Sequence, residues 1–388
     1  MKSQITQAFQ RHFEAEPLVV FAPGRINLIG EHTDYQEGFV FPAAVTQGIW
    51  VGIAKNNLTV CRAYSLDFEQ EFCFELNSMS PKKGHWATYI MGICTLLHQA
   101  GYPLENFDLV IGGNIPVGGG LSSSAALSVS LGLALSELFA FGIPKKNLAI
   151  YAQKSEQLFA RVNCGIMDPY ASAFGKQGQA MLLDCRNLEH QVIPVDLGDY
   201  GLLLIHSKVS HSLASSAYNQ RRAACEESVV ILQQSYPEIK TLRDLAVSDL
   251  PTIKSLLPEA LFPKAKHVIS ECARVHQTAE ALQLGNLSEV GRLLNASHHS
   301  LRDDFEVSCA ELDFLAKQTE NTQAVLGARM MGGGFGGCLL TLVKQQESQI
   351  FKDQIQAAYE KEFQLTPAFI EVAIGDGARK ICNPYFHR

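Results

Sequence analysis

The stretch GGGLSSSA at residues 118–125 has the composition of a phosphate-binding loop. Glycines allow a backbone to approach a bulky anion, and the first N–H groups of a following helix have no partner within that helix. The stretch is not a Walker A loop, because no Gly-Lys-Ser/Thr follows, and it does not fit the Gly-x-Gly-x-x-Gly dinucleotide pattern. It therefore predicts a phosphate cradle in which Ser124 could bind a metal ion. The alternative is a serine N-cap behind a flexible turn.

Two carboxylates further along the chain could complete such a site. Glu156 lies at the edge of the apolar face of a predicted helix, 145–162, where an unpaired charge would be costly. A Mg²⁺ ion that bridges ATP phosphates would satisfy it, since Mg²⁺ accepts one or two carboxylates and takes its other ligands from water and phosphate. The alternative is a solvent-exposed glutamate. Asp168 precedes Pro169, which is also the pattern of a helix N-cap followed by proline at the first helical position.

Near the N-terminus, the segment FAPGRINLIGEHTDYQEGFVFP (21–42) concentrates hydrogen-bonding side chains between two apolar runs. Its members with charged or titratable side chains include Arg25, Glu31, His32 and Asp34. Such a density suits a polyhydroxylated ligand, whose hydroxyls need paired donors and acceptors; the alternative is a charged loop. The neighbouring His298 and His299 are interpreted as solvated helix residues without a metal role.

The composition narrows the class of protein. The chain has 388 residues, of which 47% are hydrophobic and 18% charged, so it is long enough for two globular domains. A net charge of −7 without long runs of either sign argues against a nucleic-acid or membrane-surface partner. The N-terminal residues lack the apolar region of a signal peptide, and the apolar segment 121–141 is interpreted as a core helix. The cysteines show no zinc spacing, so we expect reduced thiols in a cytoplasmic protein.

The pattern of apolar residues predicts a mixed α/β fold in two lobes. Predicted strands lie at 18–23, 48–54, 107–116, 180–185 and 200–207, and predicted helices at 121–141 and 145–162. Long helical patterns dominate from about residue 208. The glycine-rich segment 331–343 then leads into a strand. We place the boundary between the lobes at residue 205, which gives domains 1–205 and 206–388.

Three segments together resemble the GHMP small-molecule kinases and, within them, the galactokinase family. They are PGRINLIGEHTDY at 23–35, PVGGGLSSSAA at 116–126 and RMMGGGFGGC at 329–338. NCGIMD at 163–168, AYNQRR at 217–222 and SLRDDFEVS at 300–308 match galactokinase patterns in the same order. The resemblance extends over nearly the whole chain. The phosphate motif is common to the superfamily, whereas GEHTDY and CGIMD are far more specific.

The resemblance implies both a fold and an activity. The fold is an N-terminal lobe like ribosomal protein S5 domain 2 and a ferredoxin-like C-terminal lobe, with the active site in the cleft between them. The activity is ATP-dependent phosphorylation of the anomeric hydroxyl of galactose to α-D-galactose 1-phosphate. Two alternatives stay open: a kinase for N-acetylgalactosamine, galacturonate or arabinose, and a galactose sensor without turnover. We expect a monomer or weak homo-oligomer whose partners are galactose and ATP.

The resemblance also assigns roles to individual residues. Arg25 and Asp168 would act on the reacting hydroxyl, and Mg²⁺ would be held by Ser124 and Glu156. The sugar-binding residues would be Glu31, His32, Thr33, Asp34 and Tyr218. The ATP-binding residues would be Gly118, Gly119, Gly120, Leu121, Ser122, Ser123, Ser124 and Ser65.

Two positions depart from the family pattern. Pro169 stands where the family usually has Gln, which removes an amide and a backbone N–H and predicts an extended backbone at Asp168. Met331 stands where the family usually has Thr before the glycines, which predicts the loss of one hydroxyl contact.

Overall fold

Three β-sheets form the framework of the computed structural model, which describes residues 1–82, 84–116, 119–210, 214–320 and 322–382. The strands are β1 (Leu18–Asn27), β2 (Phe39–Val40), β3 (Pro42–Lys55), β4 (Cys61–Ser65), β5 (Gln70–Phe74), β6 (Phe107–Gly113), β7 (Gln179–Asp184), β8 (Glu189–Pro194), β9 (Tyr200–Ser210), β10 (Val325–Met331), β11 (Gly336–Lys344), β12 (Ala368–Val372) and β13 (Arg379–Lys380). Their order is β13-β1-β3-β6-β4-β5 in the large sheet, β10-β11-β9-β12 in the second and β2-β7-β8 in the third.

Helices cover these sheets. They are α1 (Lys2–Phe13), α2 (Ala87–Gln99), α3 (Ser123–Leu138), α4 (Lys145–Ser155), α5 (Met167–Phe174), α6 (Ala214–Leu232), α7 (Leu250–Leu256), α8 (Phe262–Gln283), α9 (Leu287–Asp303), α10 (Ala310–Glu320) and α11 (Ser348–Phe363). None of the helices in the described part of the chain is long and apolar enough to cross a membrane.

The large sheet is buried on both faces because its strands alternate apolar side chains between two helical layers. On one face, Val20 and Val51 pack with helices α2 to α5 in a single core. On the other face, Val19 and Val110 pack against the apolar stripe of α1. Strands that are buried on both faces consist of nearly continuous apolar residues, so these strands could be predicted from the sequence.

The second sheet joins the two parts of the molecule. One face of β9 carries Leu203 and Ile205 into a core with helices α6 to α11. Its other face carries Leu202 and Leu204 into a core shared with Ile26 of β1. A continuous apolar layer therefore lies between the N-terminal and C-terminal elements. The predicted boundary at residue 205 falls within β9, and it stays a prediction.

Most predicted elements match observed ones, with local corrections. The predicted helix 145–162 ends earlier, since α4 stops at Ser155 and a π-helical turn, Glu156–Ala160, follows. Leu158, within this turn, is exposed. His298 is buried rather than solvated, because its Nδ1 accepts the N–H of Met330 at 3.3 Å. His299 is exposed as expected.

Candidate active site

Arg25 and Asp168 form a bidentate ion pair at the centre of the site. Arg25 Nε lies 2.6 Å from Asp168 Oδ1 and Nη2 lies 3.0 Å from Oδ2. Arg25 is only 4% exposed, and its remaining nitrogen donates to the carbonyl of Gly120 at 2.7 Å. Burial alone would lower the pKa of Arg25, but the Asp168 and Glu31 carboxylates outweigh it and raise that pKa. Arg25 is therefore a permanent cation that joins β1, α5 and the glycine loop.

A strand irregularity aims Arg25 at this position. The pairing of β1 with β3 shifts register between Pro23 and Arg25, and the N–H of Arg25 leaves the sheet to bond the carbonyl of Leu121 at 3.0 Å. Bulges of this kind redirect side chains beside active sites. The sequence motif predicted that Arg25 is functional, but it did not indicate the bulge.

Asp168 lies inside a helix, not at its N-cap. Helix α5 begins at Met167, so the alternative interpretation as an N-cap and the predicted extended backbone at Asp168 are both wrong. Pro169 fits there because the first helical hydrogen bond is made by the N–H of Tyr170, to the carbonyl of Ile166. A proline in the first turn therefore removes no helical bond. The carboxylate is free to face the cavity.

The loop formed by residues 119–124, here called the serine loop, also contacts Asp168. Ser122, at φ +56°, donates its hydroxyl to Asp168 Oδ2. Gly119 bonds the carbonyl of Pro116, Gly120 has a positive φ, and Ser123 begins α3. Gly118 lies outside the described residues. The predicted ATP-binding loop thus directly contacts the predicted catalytic carboxylate.

Ser124 and Glu156 form a second polar pair beside the helix start. The hydroxyl of Ser124 donates to Glu156 Oε1 at 2.8 Å. Burial raises the pKa of Glu156, and the Ser124 hydrogen bond partly opposes this. No cluster of three or more His, Cys, Asp and Glu residues that could hold a metal occurs in the described ranges. One carboxylate with one hydroxyl does fit Mg²⁺, which takes its remaining ligands from phosphate and water.

Tyr89 also contacts the pair of Ser124 and Glu156, and the sequence analysis did not predict this. Its side chain, on α2, hydrogen-bonds to Ser124, and burial raises the pKa of Tyr89 to about 12. The hydroxyl therefore stays protonated at neutral pH. A single tyrosine on an apolar helix gives no sequence signal of such a contact.

Next to the Arg25–Asp168 pair is a cavity of about 260 Å³. Its lining residues are Arg25, Glu31, His32, Asp34, Glu156, Val162, Cys164, Gly165, Met167, Asp168, Tyr218, Gly332, Gly333, Gly334 and Phe335. Segments that are distant in sequence, including GEHTDY, CGIMD and the third glycine motif, therefore meet around one space. Thr33 and Ser65 are buried elsewhere: Thr33 bonds the carbonyls of Gly30 and Phe39, and Ser65 lies at the end of β4.

Glu31 is held by protein donors on several sides. Its carboxylate accepts from the Asn27 side chain at 3.0 Å, from the N–H of Gly332 at 2.8 Å and from Arg329 at 3.1 Å. Arg329 is fully buried and also bonds the carbonyls of Asn27 and Leu28. Three donors fix the carboxylate while leaving one of its roughly four acceptor positions for a ligand.

His32 is neutral and links two parts of the site. Burial lowers the pKa of His32 to about 3, so the ring carries one proton. Nε2 lies 3.3 Å from the carbonyl of Gly333, which can only accept, and Nδ1 lies 3.0 Å from the hydroxyl of Tyr35. The ring also packs 5.2 Å from that of Tyr218. The proton therefore lies on Nε2.

Asp34 lies against the backbone of the CGIMD segment. A Cβ atom on Gly165 would come within 1.8 Å of Asp34 Oδ2, so only glycine permits this contact. Burial, followed by the charges of Asp168 and Glu31, raises the pKa of Asp34 to about 7. The sequence motif marked Asp34 as functional but not its crowding by other carboxylates.

Met331 occupies the position where we expected a lost hydroxyl contact. Its sulfur accepts the N–H of Asn27 at 3.4 Å, and its side chain is buried between the two parts of the molecule. The thioether therefore supplies a weak acceptor here, and the loss of a hydroxyl contact relative to the family stays a prediction.

Comparison with known proteins shows the family to which the chain belongs. The galactokinase galactose-binding signature matches residues 7–55, the GHMP kinases N terminal domain matches 88–176 and the GHMP kinases C terminal domain matches 278–361. A galactokinase of Roseiflexus sp. is 38% identical over 98% of this chain and 97% of its own length. One of Exiguobacterium sibiricum is 40% identical over 97% of both chains. The chain belongs to the galactokinase family.

Solved structures confirm the fold. Lactococcus lactis galactokinase, complexed with galactose, matches with a TM-score of 0.94 and 37% identity over 98% of this chain and all of that one. Methanococcus jannaschii mevalonate kinase matches with a TM-score of 0.68 at 16% identity over 93% of this chain and 99% of that one. The expected two-lobed GHMP kinase fold is therefore confirmed.

The raised pKa of Asp34 predicts a stability effect that depends on pH. Because the folded pKa is about 7 and the unfolded value about 4, the folded state binds more protons in this interval, and stability falls as pH rises through it. Asp34→Asn removes the free-energy cost of ionising the buried carboxylate, and it keeps an oxygen that accepts the N–H of Tyr35. We expect the variant to exceed the wild type in unfolding free energy by roughly 1–4 kcal/mol at pH 8, with little difference at pH 4.

Urea unfolding at both pH values measures this difference. Asp199→Asn, at an exposed loop carboxylate, is the matched control and should follow the wild type. A pH-independent gap between Asp34→Asn and the wild type would show that Asp34 is not held at a raised pKa.

Proposed function

We propose that this chain transfers the γ-phosphoryl group of ATP to the anomeric hydroxyl of D-galactose, giving α-D-galactose 1-phosphate and ADP. The observation that carries the proposal is the Arg25–Asp168 pair, which touches the serine loop on one side and lines the cavity on the other. A carboxylate at this junction can contact a sugar hydroxyl while the loop holds the phosphates.

Asp168 would accept the proton of the reacting hydroxyl. The hydroxyl oxygen forms the new bond to the γ-phosphorus as the bond to the leaving oxygen of ADP breaks, and the proton passes to the carboxylate. Asp168 already accepts two hydrogen bonds from Arg25 and one from Ser122, so one acceptor position is left. These donors weaken its basicity, but phosphoryl transfer depends chiefly on positioning and charge stabilisation. Arg25 supplies positive charge next to the reacting oxygens.

The cavity would bind the sugar through paired hydroxyls. Asp34 offers acceptors along one wall, and Tyr218 on α6 lines another. Hydrogen bonds within the protein hold Glu31 and His32. The free acceptor position of Glu31 and the ring of His32 are therefore fixed before the sugar binds. Such a site discriminates between epimers, because a misplaced hydroxyl leaves a buried polar group without a partner.

The nucleotide would lie along residues 119–124. Helix α3 begins at Ser123, and its first N–H groups are available to phosphate oxygens. Ser124 and Glu156 would hold Mg²⁺, which when bound supplies positive charge to the phosphate oxygens. The raised pKa of Glu156 is consistent with a carboxylate that lacks a sufficient cationic partner in the protein alone. All ten cysteines are free, which supports a cytoplasmic enzyme.

The choice of sugar tests the proposal. We expect galactose to exceed glucose, its C4 epimer, by at least about a hundredfold in kcat/KM, because a misplaced hydroxyl leaves polar groups of the cavity unpaired. The measurement is ADP release over a panel of monosaccharides that includes N-acetylgalactosamine, galacturonate and arabinose. Comparable turnover of galactose and glucose would contradict the proposed substrate, and galactose binding without ADP release would indicate a sensor.

The metal role of Glu156 can be separated from sugar binding. In Glu156→Gln, we expect the Mg²⁺ concentration for half-maximal rate to rise about tenfold or more, because an amide is a weaker ligand than a carboxylate. Calorimetric titration with galactose in the absence of nucleotide should give the wild-type affinity. Glu137→Gln, at an exposed position of α3, is the control. Loss of galactose binding in a folded Glu156→Gln protein would exclude the metal role.

A further inference from the structure

Helix α8, in the C-terminal part of the molecule, carries two fully buried polar side chains, Glu271 and His267. They contact the predicted sugar-binding segment 30–34, here called the sugar loop. Glu271 Oε1 accepts the N–H of Gly30 at 3.0 Å, and His267 Nε2 lies 3.1 Å from the carbonyl oxygen of Glu31. The two residues are four positions apart, so they lie on the same face of the helix. Together they hold both ends of the Gly30–Glu31 dipeptide.

The chemistry of each side chain suits this contact. Burial would raise the pKa of Glu271, but the charge of Arg274 and the hydrogen bond from Ser297 outweigh it and hold the pKa at about 2, so the group is a carboxylate. Burial lowers the pKa of His267 to about 4, so the ring is neutral. Its Nε2 must carry the single proton, because the Glu31 carbonyl can only accept. Nδ1 lies 2.9 Å from the hydroxyl of Ser300, which also lies 3.1 Å from Asp304 Oδ2.

The loop conformation depends on contacts of this kind. Gly30 has φ +102°, and a Cβ there would lie 2.8 Å from Val275 Cγ2, one turn beyond Glu271 on the same face of α8. His32 also has a positive φ, at +62°. Glycine adopts a positive φ without strain, but histidine does not, and the conformation of His32 persists only where the surroundings hold it. Helix α8 supplies that support.

None of these α8 side chains lines the cavity. Arg25, Asp168 and the serine loop are held by β1, α3 and α5, which Glu271 and His267 do not contact through the hydrogen bonds described. A disturbance at α8 should therefore reach Glu31 and His32 before it reaches the reacting groups.

We propose that His267 and Glu271 are positioning residues that set the affinity for the sugar by holding the Gly30–Glu31 backbone, without touching the substrate. This inference rests on the proposed galactose-phosphorylating function. Displacing the Glu31 carbonyl would move the carboxylate and the His32 ring that face the cavity. The consequence should be a higher KM for galactose, with the KM for ATP unchanged.

Two substitutions of His267 separate positioning from bulk stability. The amide nitrogen of Gln can take the place of Nε2 and donate to the Glu31 carbonyl. The Asn side chain is shorter, so its amide nitrogen reaches only the Nδ1 position near Ser300. We expect His267→Asn to raise the KM for galactose about tenfold, the effect of leaving a buried carbonyl unpaired, and to leave the KM for ATP within about twofold. His267→Gln should stay within about threefold of the wild type for both.

Thr278→Val is the matched control, since Thr278 is equally buried on α8 but bonds only the carbonyl of Arg274. It should change neither KM. Hydrogen exchange of the peptide 28–36, measured without ligands, should accelerate in His267→Asn and not in the other two variants. Equal galactose KM values in His267→Asn and the wild type, or equal increases in all three variants, would overturn the proposal.

The outcomes also separate this inference from the proposed function. A wild-type protein that does not phosphorylate galactose would refute the function, and the exchange measurement would still decide whether His267 holds the loop. An active wild type with unaltered exchange in His267→Asn would refute the positioning role alone. If the Asn variant does not fold, a His267→Gln protein that folds but raises the galactose KM tenfold would also refute it.

Discussion

The ion pair of Arg25 and Asp168 is the interaction on which the site depends. Four carboxylates, those of Glu31, Asp34, Glu156 and Asp168, line one cavity. Of the described residues that line it, Arg25 alone is a permanent cation. Like charges this close oppose one another's ionisation, which contributes to the raised pKa values of Asp34 and Glu156. Arg25 opposes this repulsion where the reaction would take place, and its bonds to Asp168 and Gly120 fix the geometry.

The rest of the structure divides into groups that face the ligands and groups that hold them. Asp168, Asp34 and Tyr218 line the cavity, whereas Arg329, His267 and Glu271 bind the backbone or carboxylate of the sugar loop from behind. These supporting residues belong to the C-terminal part, and the loop belongs to the N-terminal part. The apolar layer shared by β1 and β9 fixes the position of the loop relative to these supporting residues. The proposed sugar site therefore depends on both parts of the molecule.

The sequence allowed the elements and the motif residues to be predicted, but not most of the contacts that hold them. Apolar strands such as β6 and the helix α3 were predictable because burial on both faces produces continuous apolar runs. Arg25 and Asp168 were predicted as site residues through their motifs. The helical position of Asp168, the π-helical end of α4 and the burial of His298 were not, because each is decided by tertiary packing. Tyr89, His267 and Glu271 give no local signal, since their partners lie in distant segments.

The most direct test of this account is the turnover of Asp168→Asn. The amide keeps the size of the carboxylate but has neither its charge nor its basicity, so kcat should fall by about 10²–10⁴. Galactose should still bind, because the cavity walls formed by Asp34 and Tyr218 are unchanged. An Asp168→Asn enzyme that retains more than about half of the wild-type kcat would contradict the account, since the carboxylate would then be dispensable for phosphoryl transfer.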